Sequence, residues 1–448
     1  MTIAIVGAGI TGLMAAYELV KRGQRPIVIE PAAPGGMIRS RSFAGFTLEQ
    51  GPNVLVERPD IASLIDELGL RERVRYPVVE PYGQYVWFQG SPSKVPAGGL
   101  ELLRSPLFSL QTKLTLPYRL LKKGILKPRS DDLSVLDFFS PLIGAGAANS
   151  LLDPVLKGIY GGDVNSLSAR TIFPGLWQAG LQGDSVVGYL RKRPQRGKPR
   201  IFVLEGGIQS LSDRLLKAIE GRVQFVSARV ESIHPHGKGF KVFCDGRAPL
   251  DVAGCVVTTA GAQTSSLIHH MHPELSASLL GMRFASLSVV HCAVDRAQSL
   301  IQDAFGLLFP GGMPENLLGV MFNSLIFPHV APPSKQLLTV VLGGAQAGDA
   351  VPSEERLRER VPELLVQFLG VPGAEWLGWC EWRRAIPQLQ VGHYRIVQEL
   401  DDAERRSRGV VFCGVDRGGV GVSDRLRVAR EAVARISSEP ISKVALEV

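Results

Sequence analysis

A glycine-rich loop between a short apolar strand and a helix opens the chain and restricts its fold more than any other feature. Residues 3–6 are all apolar, and residues 7–12 read Gly-Ala-Gly-Ile-Thr-Gly. Apolar positions then recur at helical spacing up to residue 22, and a second apolar run at 27–29 ends in Glu30. This order of strand, glycine loop, helix, strand and acid is typical of a dinucleotide-binding α/β unit.

Each glycine of the loop has its own physical task. Gly7 permits the tight turn, Gly9 lets the backbone approach a pyrophosphate, and Gly12 lets the helix pack closely on the strand. The helix N-terminus offers unpaired N–H groups and a favourable dipole to phosphate. Glu30 is placed to accept hydrogen bonds from a ribose 2′-hydroxyl, which argues against a 2′-phosphate. Because the chain has 49 glycines, the loop alone is a weak signal, and the flanking strands and acid carry the prediction.

Composition and charge limit the other possibilities. With 448 residues, 45% hydrophobic and 21% charged, the chain is typical of a globular protein with more than one domain. Its net charge of +8 favours anionic partners: nucleic acid, an acidic membrane surface or a carboxylate substrate. Five scattered cysteines, never spaced C-x-x-C, argue against disulfides or zinc and indicate a reducing cytoplasm. Because the glycine loop comes so early, we expect no signal peptide, and no apolar run approaches the ~18 residues of a spanning helix.

A second glycine pair, Gly35-Gly36, follows Glu30 closely and precedes the segment 48–53. It resembles the second fingerprint of the glutathione-reductase-like flavoproteins, in their amine-oxidase branch, where the backbone lies against the flavin side of the pyrophosphate. Ala33 and Met37 stand where basic residues are common in that branch. The resemblance implies FAD as the cofactor, bound non-covalently because Cys413 lies in a strand-like run.

Four further segments resemble the protoporphyrinogen oxidases, and the match runs over nearly the whole chain. They are residues 152–177, 318–328, 382–393 and 412–422. The resemblance implies an FAD-dependent oxidase of porphyrin and haem biosynthesis that converts protoporphyrinogen IX to protoporphyrin IX, with molecular oxygen as electron acceptor. Oxidation of coproporphyrinogen III to coproporphyrin III is the alternative with the same chemistry. More distant alternatives are an amine oxidase, a carotenoid desaturase and a flavin-binding module without turnover.

The same resemblance assigns candidate site residues. Gly161 and Gly162 form a turn that faces the flavin from the substrate side, where absent side chains leave an open face, and Asn53 lies beside the ring; these three are the candidate catalytic residues. Apolar walls for the macrocycle are implied at Leu287, Ile301 and Phe322. The candidate cofactor-binding residues are Gly7, Ala8, Gly9, Ile10, Thr11, Gly12, Glu30, Pro31, Gly35, Gly36, Met37, Gly51, Pro52, Asn53, Val54, Val230, Ala260, Trp382, Gly414, Gly419, Val420, Gly421 and Val422.

The predicted fold class is α/β, with a discontinuous Rossmann-like FAD-binding domain of the glutathione-reductase type. This domain is expected to comprise residues 1–80, 200–265 and 400–448. Residues 81–94 and 266–399 are expected to form a substrate-binding domain with a mixed sheet. Residues 95–190 are expected to form a mainly helical domain.

Two basic or histidine-rich clusters are given no functional role. His269, His270 and His272 lack partners at ligand spacing, so no metal site is predicted. The basic run 191–200 has no interleaved aromatic residue, so no nucleic-acid partner is predicted.

The segment 98–127 mixes Leu and Phe with Lys and Arg, a pattern that suits either a bilayer surface or an ordinary packed domain. Relatives in the resembled family are often peripheral membrane proteins. We therefore expect a cytoplasmic protein with peripheral contact to the cytoplasmic membrane, and leave open whether it forms a homodimer.

Plant relatives carry Arg in the stretch matching 84–88, where this chain has neither Arg nor Lys. The anchor for the substrate carboxylates is thus unassigned.

Overall fold

The structure is a computed structural model that describes residues 2–79, 83–192, 200–297, 301, 303–348 and 351–438. Residues 193–199 of the basic run lie outside these ranges. The strands are β1 (Ile3–Val6), β2 (Ile27–Ile29), β3 (Ser40–Phe43), β4 (Phe46–Glu49), β5 (Leu55–Val56), β6 (Val74–Arg75), β7 (Gly83–Phe88), β8 (Ser91–Lys94), β9 (Ile201–Leu204), β10 (Gln224–Val226), β11 (Val230–His236), β12 (Gly239–Cys244), β13 (Leu250–Val252), β14 (Gly254–Val257), β15 (Phe284–Asp295), β16 (Ala304–Leu308), β17 (Leu317–Met321), β18 (Lys335–Gly344), β19 (Glu375–Pro387) and β20 (Val410–Phe412). The helices are α1 (Ile10–Lys21), α2 (Pro59–Glu67), α3 (Gly99–Arg104), α4 (Leu110–Leu121), α5 (Val135–Ile143), α6 (Ala145–Tyr160), α7 (Ala169–Ile172), α8 (Pro174–Leu181), α9 (Val186–Lys192), α10 (Gln209–Ile219), α11 (Ala262–Ile268), α12 (Pro273–Leu280), α13 (Asn323–Ile326), α14 (Glu354–Leu369), α15 (His393–Ser407) and α16 (Val422–Ser438).

A five-stranded parallel sheet in the order β10-β2-β1-β14-β20 forms the first layer. The central strands β2, β1 and β14 and the edge strand β20 consist entirely of buried residues, as expected for a sheet that is covered on both faces. One face packs against α1, α2, α10 and α16, and the other against α12, α15 and the small sheet β11-β12-β13. The sheet thus contains both β1, at Ile3–Val6, and β20, at Val410–Phe412.

A seven-stranded mixed sheet in the order β19-β15-β18-β17-β16-β7-β8 forms the second layer. β16 and β7 run parallel, and the other neighbours are antiparallel. Along β15 the side chains alternate between two environments. Val290, Cys292 and Val294 pack in a core with α14, whereas Leu287, Val289 and His291 point to the opposite face. These two sheets confirm the predicted α/β class with a mixed second sheet.

Helices α3–α9 occupy the chain between β8 and β9 and have a core of their own around Phe138, Phe139 and Trp177. The segment is helical, as the sequence predicts. Within the described ranges, no helix combines the length and the apolar character that crossing a bilayer requires.

Candidate cofactor and substrate site

The glycine loop has the close backbone contacts that its spacing predicts. Gly7 has a φ of +100°, and its N–H donates to the Ile29 carbonyl at 2.9 Å. A Cβ built on Gly12 would lie 1.9 Å from the Gly7 oxygen, so only glycine lets α1 start so close to the turn. A Cβ on Gly9 would instead have no atom within 4 Å. The open side of the loop at Gly9 is therefore where a ligand can approach the backbone.

Glu30 is held against this loop by two backbone donors. Its carboxylate accepts from Ala8 N at 2.9 Å and from Ala32 N at 3.0 Å. The carboxylate thus has a fixed position at the end of β2, and its remaining lone pairs can accept hydrogen bonds from ribose hydroxyls. Pro31, which follows it, is exposed.

The second glycine pair lies beside the first loop. Gly35 N donates to the Ala8 carbonyl at 2.8 Å, and a Cβ on Gly36, where φ is +62°, would lie 3.0 Å from the Gly9 Cα. Gly51 packs as tightly, because its Cβ would lie 2.0 Å from the Met37 oxygen. The predicted glycines of segments far apart in sequence therefore form one backbone cradle, which we call the glycine cradle and define as residues 7–12, 35–37 and 51.

The edge strand β19 joins the second sheet to this cradle. Trp382 Nε1 donates to the Gln50 carbonyl at 2.6 Å, and Cys380 Sγ lies 3.2 Å from the same oxygen. Trp382 is opposite Leu287 in the β15–β19 register, so both side chains share the sheet face that points to the cradle. We call this the cradle-facing side of the sheet.

Asn53 lies where the two layers meet. Its Nδ2 donates to the Gly51 carbonyl at 3.2 Å, and its Oδ1 accepts from Asn323 Nδ2 at 3.2 Å. Asn323 was not among the predicted site residues. The signal that could have found it is an amide in the run 317–327, which is otherwise apolar except for Ser324; the Asn323 side chain is buried and so needs a hydrogen-bond partner.

The C-terminal loop 414–422 follows β20 at the end of the parallel sheet. A Cβ on Gly414 would lie 2.1 Å from the Thr259 oxygen, and Gly419 has a φ of +103°. His393 Nε2 lies 2.7 Å from the Asp416 carbonyl and fixes the loop from the side of α15. Burial raises the pKa of Asp416 to about 6, although Arg425 and Arg417 oppose the shift. The loop is therefore buried at Gly414 and Asp416, and Gly419–Val422, which lead into α16, are at least partly accessible.

Two predicted cofactor-binding residues, Val230 on the adenine side and Ala260 after the end of a strand, are buried beside the parallel sheet. Val230 is the first residue of β11, and Ala260 follows β14. Their contacts with a cofactor stay predictions.

The turn at Gly161-Gly162 differs from the expectation of an open face. A Cβ on Gly161 would lie 3.0 Å from the Ala285 Cβ, and one on Gly162 would lie 2.7 Å from both Gln388 Oε1 and Leu167 Cδ1. Protein atoms therefore fill the space beside both glycines. Because Gly161 and Gly162 have no side chains, the end of α6 can pack on the second sheet. The two glycines do not by themselves create room for a substrate.

The three predicted apolar walls do not share one surface, and this is a correction. Leu287 is half-buried on the cradle-facing side. Phe322 is fully buried in the core between the sheet and α14, and Ile301 packs against that same core on the opposite face. Met321, half-buried and opposite Thr339, lies instead on the side of Leu287, because Thr339 is in turn opposite His291. Side chains alternate along a strand, so Met321 rather than Phe322 shares the sheet face of Leu287, and substrate contacts of these residues stay predictions.

The histidines and cysteines provide no further reactive centre in the described ranges. The rings of His234 and His270 stack with centroids 4.8 Å apart. Across the residues that can be described, no three His, Cys, Asp or Glu side chains gather as a metal site. Burial raises the pKa of the Cys413 thiol to about 12, which keeps the thiol protonated and unreactive at neutral pH.

Comparison with known proteins decides the family. The model of the flavin containing amine oxidoreductases matches residues 10–437. The chain belongs to this family. It is therefore a flavin-dependent oxidoreductase, and the glycine cradle with Glu30 fits FAD as its cofactor.

Named relatives in the amine oxidoreductase family narrow the resemblance. The chain is 27% identical to protoporphyrinogen oxidase 2, chloroplastic/mitochondrial, of Arabidopsis thaliana, covering 94% of this chain and 90% of the relative. It is 26% identical to coproporphyrinogen III oxidase of Bacillus subtilis, covering 96% and 97%. A candidate protoporphyrinogen oxidase from Exiguobacterium sp. 255-15 has a similar fold, with a TM-score of 0.79 at 22% identity over 97% of this chain and 98% of that one. The resemblance to protoporphyrinogen oxidases is thereby confirmed.

Proposed function

We propose that this chain oxidises protoporphyrinogen IX to protoporphyrin IX with FAD as cofactor and molecular oxygen as the final electron acceptor. The observation that carries the proposal is the junction of the glycine cradle with the cradle-facing side of the second sheet at Gln50 and Trp382. An apolar sheet face directly beside a flavin site suits a large flat macrocycle. The relatives named protoporphyrinogen oxidase support the same substrate class.

Protein groups on both sides of this junction would hold the reactants. Glu30 binds and orients the adenosine ribose, and the glycine cradle brings backbone N–H groups to the pyrophosphate. FAD, when bound, supplies the two-electron acceptor that the oxidation needs. The N-terminus of α16, which follows the loop 414–422, stabilises negative charge placed beside it. Leu287 and Met321 exclude water from the reacting face, and the amide pair Asn53–Asn323 fixes the polar border of the site.

Coproporphyrinogen III is the second candidate substrate. The Bacillus subtilis coproporphyrinogen III oxidase matches 96% of this chain, and no Arg or Lys occurs in 84–88, the stretch where the resemblance to plant relatives implies a carboxylate anchor. Burying the ring is favourable at about 25 cal/mol per Å², so the ring is expected to dominate binding. We therefore expect both porphyrinogens to be accepted with modest discrimination.

Anaerobic reduction of the bound flavin by each porphyrinogen tests this proposal, followed by turnover in air with detection of peroxide. Both substrates should bleach the flavin, and admission of oxygen should restore its absorbance. Gln84→Arg or Phe88→Arg should tighten one substrate. A preference of a thousandfold, about 4 kcal/mol, would show a dedicated carboxylate anchor and contradict the ring-dominated mode. No reduction by either porphyrinogen would refute the function.

We also propose peripheral contact with the cytoplasmic membrane through α3 and α4. Leu110, Leu114, Tyr118 and Leu121 are spaced along one face of α4, and Leu114 is 73% exposed. Basic residues flank this face and the neighbouring helix, namely Arg104, Lys113, Arg119, Lys122, Lys123 and Lys127. Exposed apolar side chains with basic neighbours suit an anionic bilayer surface. A cytoplasmic location stays a prediction, which cell fractionation would test, and sedimentation would decide between a monomer and a homodimer.

The division of the chain into domains is proposed in the same way. We propose residues 1–80, 200–265 and 400–448 as the FAD-binding domain, 95–190 as the helical domain, and 81–94 with 266–399 as the substrate-binding domain. The strands of the five-stranded sheet lie in the proposed FAD-binding domain, and those of the seven-stranded sheet lie in the proposed substrate-binding domain. The core around Phe138 belongs to the helical domain, which also supports this division.

A further inference from the structure

A cation stands at the edge of the glycine cradle and is not used by the mechanism above. Arg39 is exposed and directly precedes β3. Its Nε donates to the Gly36 carbonyl at 3.0 Å, and its guanidinium carbon lies 5.6 Å from the centre of the Trp382 ring. These contacts direct the guanidinium to the junction between the cradle and β19.

The charge on Arg39 also affects the pKa of the neighbouring Cys380 thiol. Burial raises the pKa of Cys380 to about 11, while the hydrogen bond with Trp382 and the charge on Arg39 act in the opposite direction. Among the ion pairs between described residues, none involves Arg39. The guanidinium is therefore a solvated charge whose position is fixed by a carbonyl and an aromatic ring, and its other N–H groups remain available for an anion.

The charge balance of the cradle explains why a cation is needed there. Residues 7–12, 30–38 and 50–54 contain no Lys or Arg, and Glu30 contributes a negative charge. A dinucleotide brings two further negative charges in its pyrophosphate to the open side of Gly9, beside Gly36. Backbone N–H groups and a helix dipole supply only partial positive charge. Arg39 is the nearest basic residue in sequence to the glycine pair, and it contacts that pair directly.

We propose that Arg39 binds the pyrophosphate of FAD and compensates its charge, using N–H groups of the guanidinium that do not contact Gly36. Arginine suits this role because its planar fork can donate two parallel hydrogen bonds to a phosphate. The proposal concerns cofactor binding, so it does not depend on which substrate the enzyme oxidises.

Arg41, within the adjacent strand β3, offers a matched control. It is also exposed and lies two residues further along, but its guanidinium stacks on Phe43 at 5.1 Å and contacts no part of the cradle. Removing either arginine changes the net charge equally. A general effect of net charge on an anionic cofactor would therefore appear in both variants, whereas a direct contact would appear in one.

The experiment is a fluorescence titration of the refolded or dialysed apoprotein with FAD, for wild type, Arg39→Met, Arg39→Lys and Arg41→Met, at low and high NaCl. Arg39→Met should weaken FAD binding about tenfold or more, as expected for one lost charge-assisted hydrogen bond. Arg39→Lys should recover part of the affinity, because the charge returns without the fork. Arg41→Met should bind FAD like wild type.

Salt dependence provides the second readout. The Kd of wild type for FAD should rise with NaCl more steeply than that of Arg39→Met, because the variant lacks one charge interaction with phosphate. Equal Kd values or equal salt slopes for wild type and Arg39→Met would overturn the proposal. An unchanged FAD Kd with a raised KM for a porphyrinogen would likewise overturn it, and would assign the guanidinium to a substrate carboxylate. Circular dichroism of each apoprotein confirms that folding is retained.

Discussion

Replacing Glu30 by Gln tests the adenosine end of the cofactor site. The carboxylate accepts from Ala8 N and Ala32 N, so it is already oriented before a ligand arrives. A ribose hydroxyl that donates to it makes a hydrogen bond to a charged group, which contributes about 1.5–3 kcal/mol. Gln keeps the shape and one acceptor oxygen but loses the charge. We therefore expect the Kd for FAD to rise by a factor of about 10 to 150.

The assay compares FAD with FMN, which lacks the adenosine ribose, by fluorescence titration of the apoprotein. FMN should bind wild type and Glu30→Gln equally, whereas FAD should separate them. Glu18→Gln is a suitable control, because Glu18 lies on α1 and pairs with Arg430 at 2.9 Å, away from the cradle. Equal loss of FMN and FAD binding would indicate a collapsed glycine loop, and no loss of either would refute the assigned ribose contact.

Three further results are expected. Gly162→Val should slow anaerobic flavin reduction by substrate while FAD content is retained, because the new side chain would meet Gln388 and Leu167 at 2.7 Å and displace the turn whose Gly161 packs beside Leu287; unchanged reduction would contradict this. Burial raises the pKa of Glu49 to about 7, so ionisation should cost folded-state stability as pH rises from about 4.5 through 7. Urea unfolding of Glu49→Gln apoprotein should then show a stability advantage over wild type that grows with pH toward about 3 kcal/mol, and a pH-independent difference would refute the shift. Vesicle flotation at low salt should be lost when Leu110 and Leu114 are both changed to Ser, but kept for Leu280→Ser, whose side chain is similarly exposed on another helix; equal behaviour of the two variants would favour an ordinary packed surface.

The cofactor half of the site could be predicted from the sequence because its constraints are local and steric. The spacing of Gly7, Gly9 and Gly12 directly encodes which backbone atoms touch, and the 1.9 Å approach at Gly12 is the physical reason for the pattern. Glu30 follows from the same short unit. Such contacts depend on a few neighbouring residues, so a motif is enough to place them.

The substrate half could not be predicted as well, because it depends on strand phase and on contacts between distant segments. A shift of one residue moves a side chain to the other face of a sheet, which is why Met321 rather than Phe322 is on the side of Leu287. Asn323 acquires its role only through Asn53, which is 270 residues away. Nothing in a single sequence fixes that pairing.

The strand order of the parallel sheet has a consequence for how the protein folds during its synthesis. β14 pairs with β1 on one side and with β20 on the other, and α16 packs on α1, where Arg430 meets Glu18. A chain emerging from the ribosome therefore carries the glycine loop for its cofactor early, yet it lacks one edge strand and one covering helix until residues 410–438 are synthesised. Such high contact order delays closure of the nucleotide site. We expect loading with FAD to be one of the last events of maturation, and the nascent chain to depend on protection of the open edge of β14 until then.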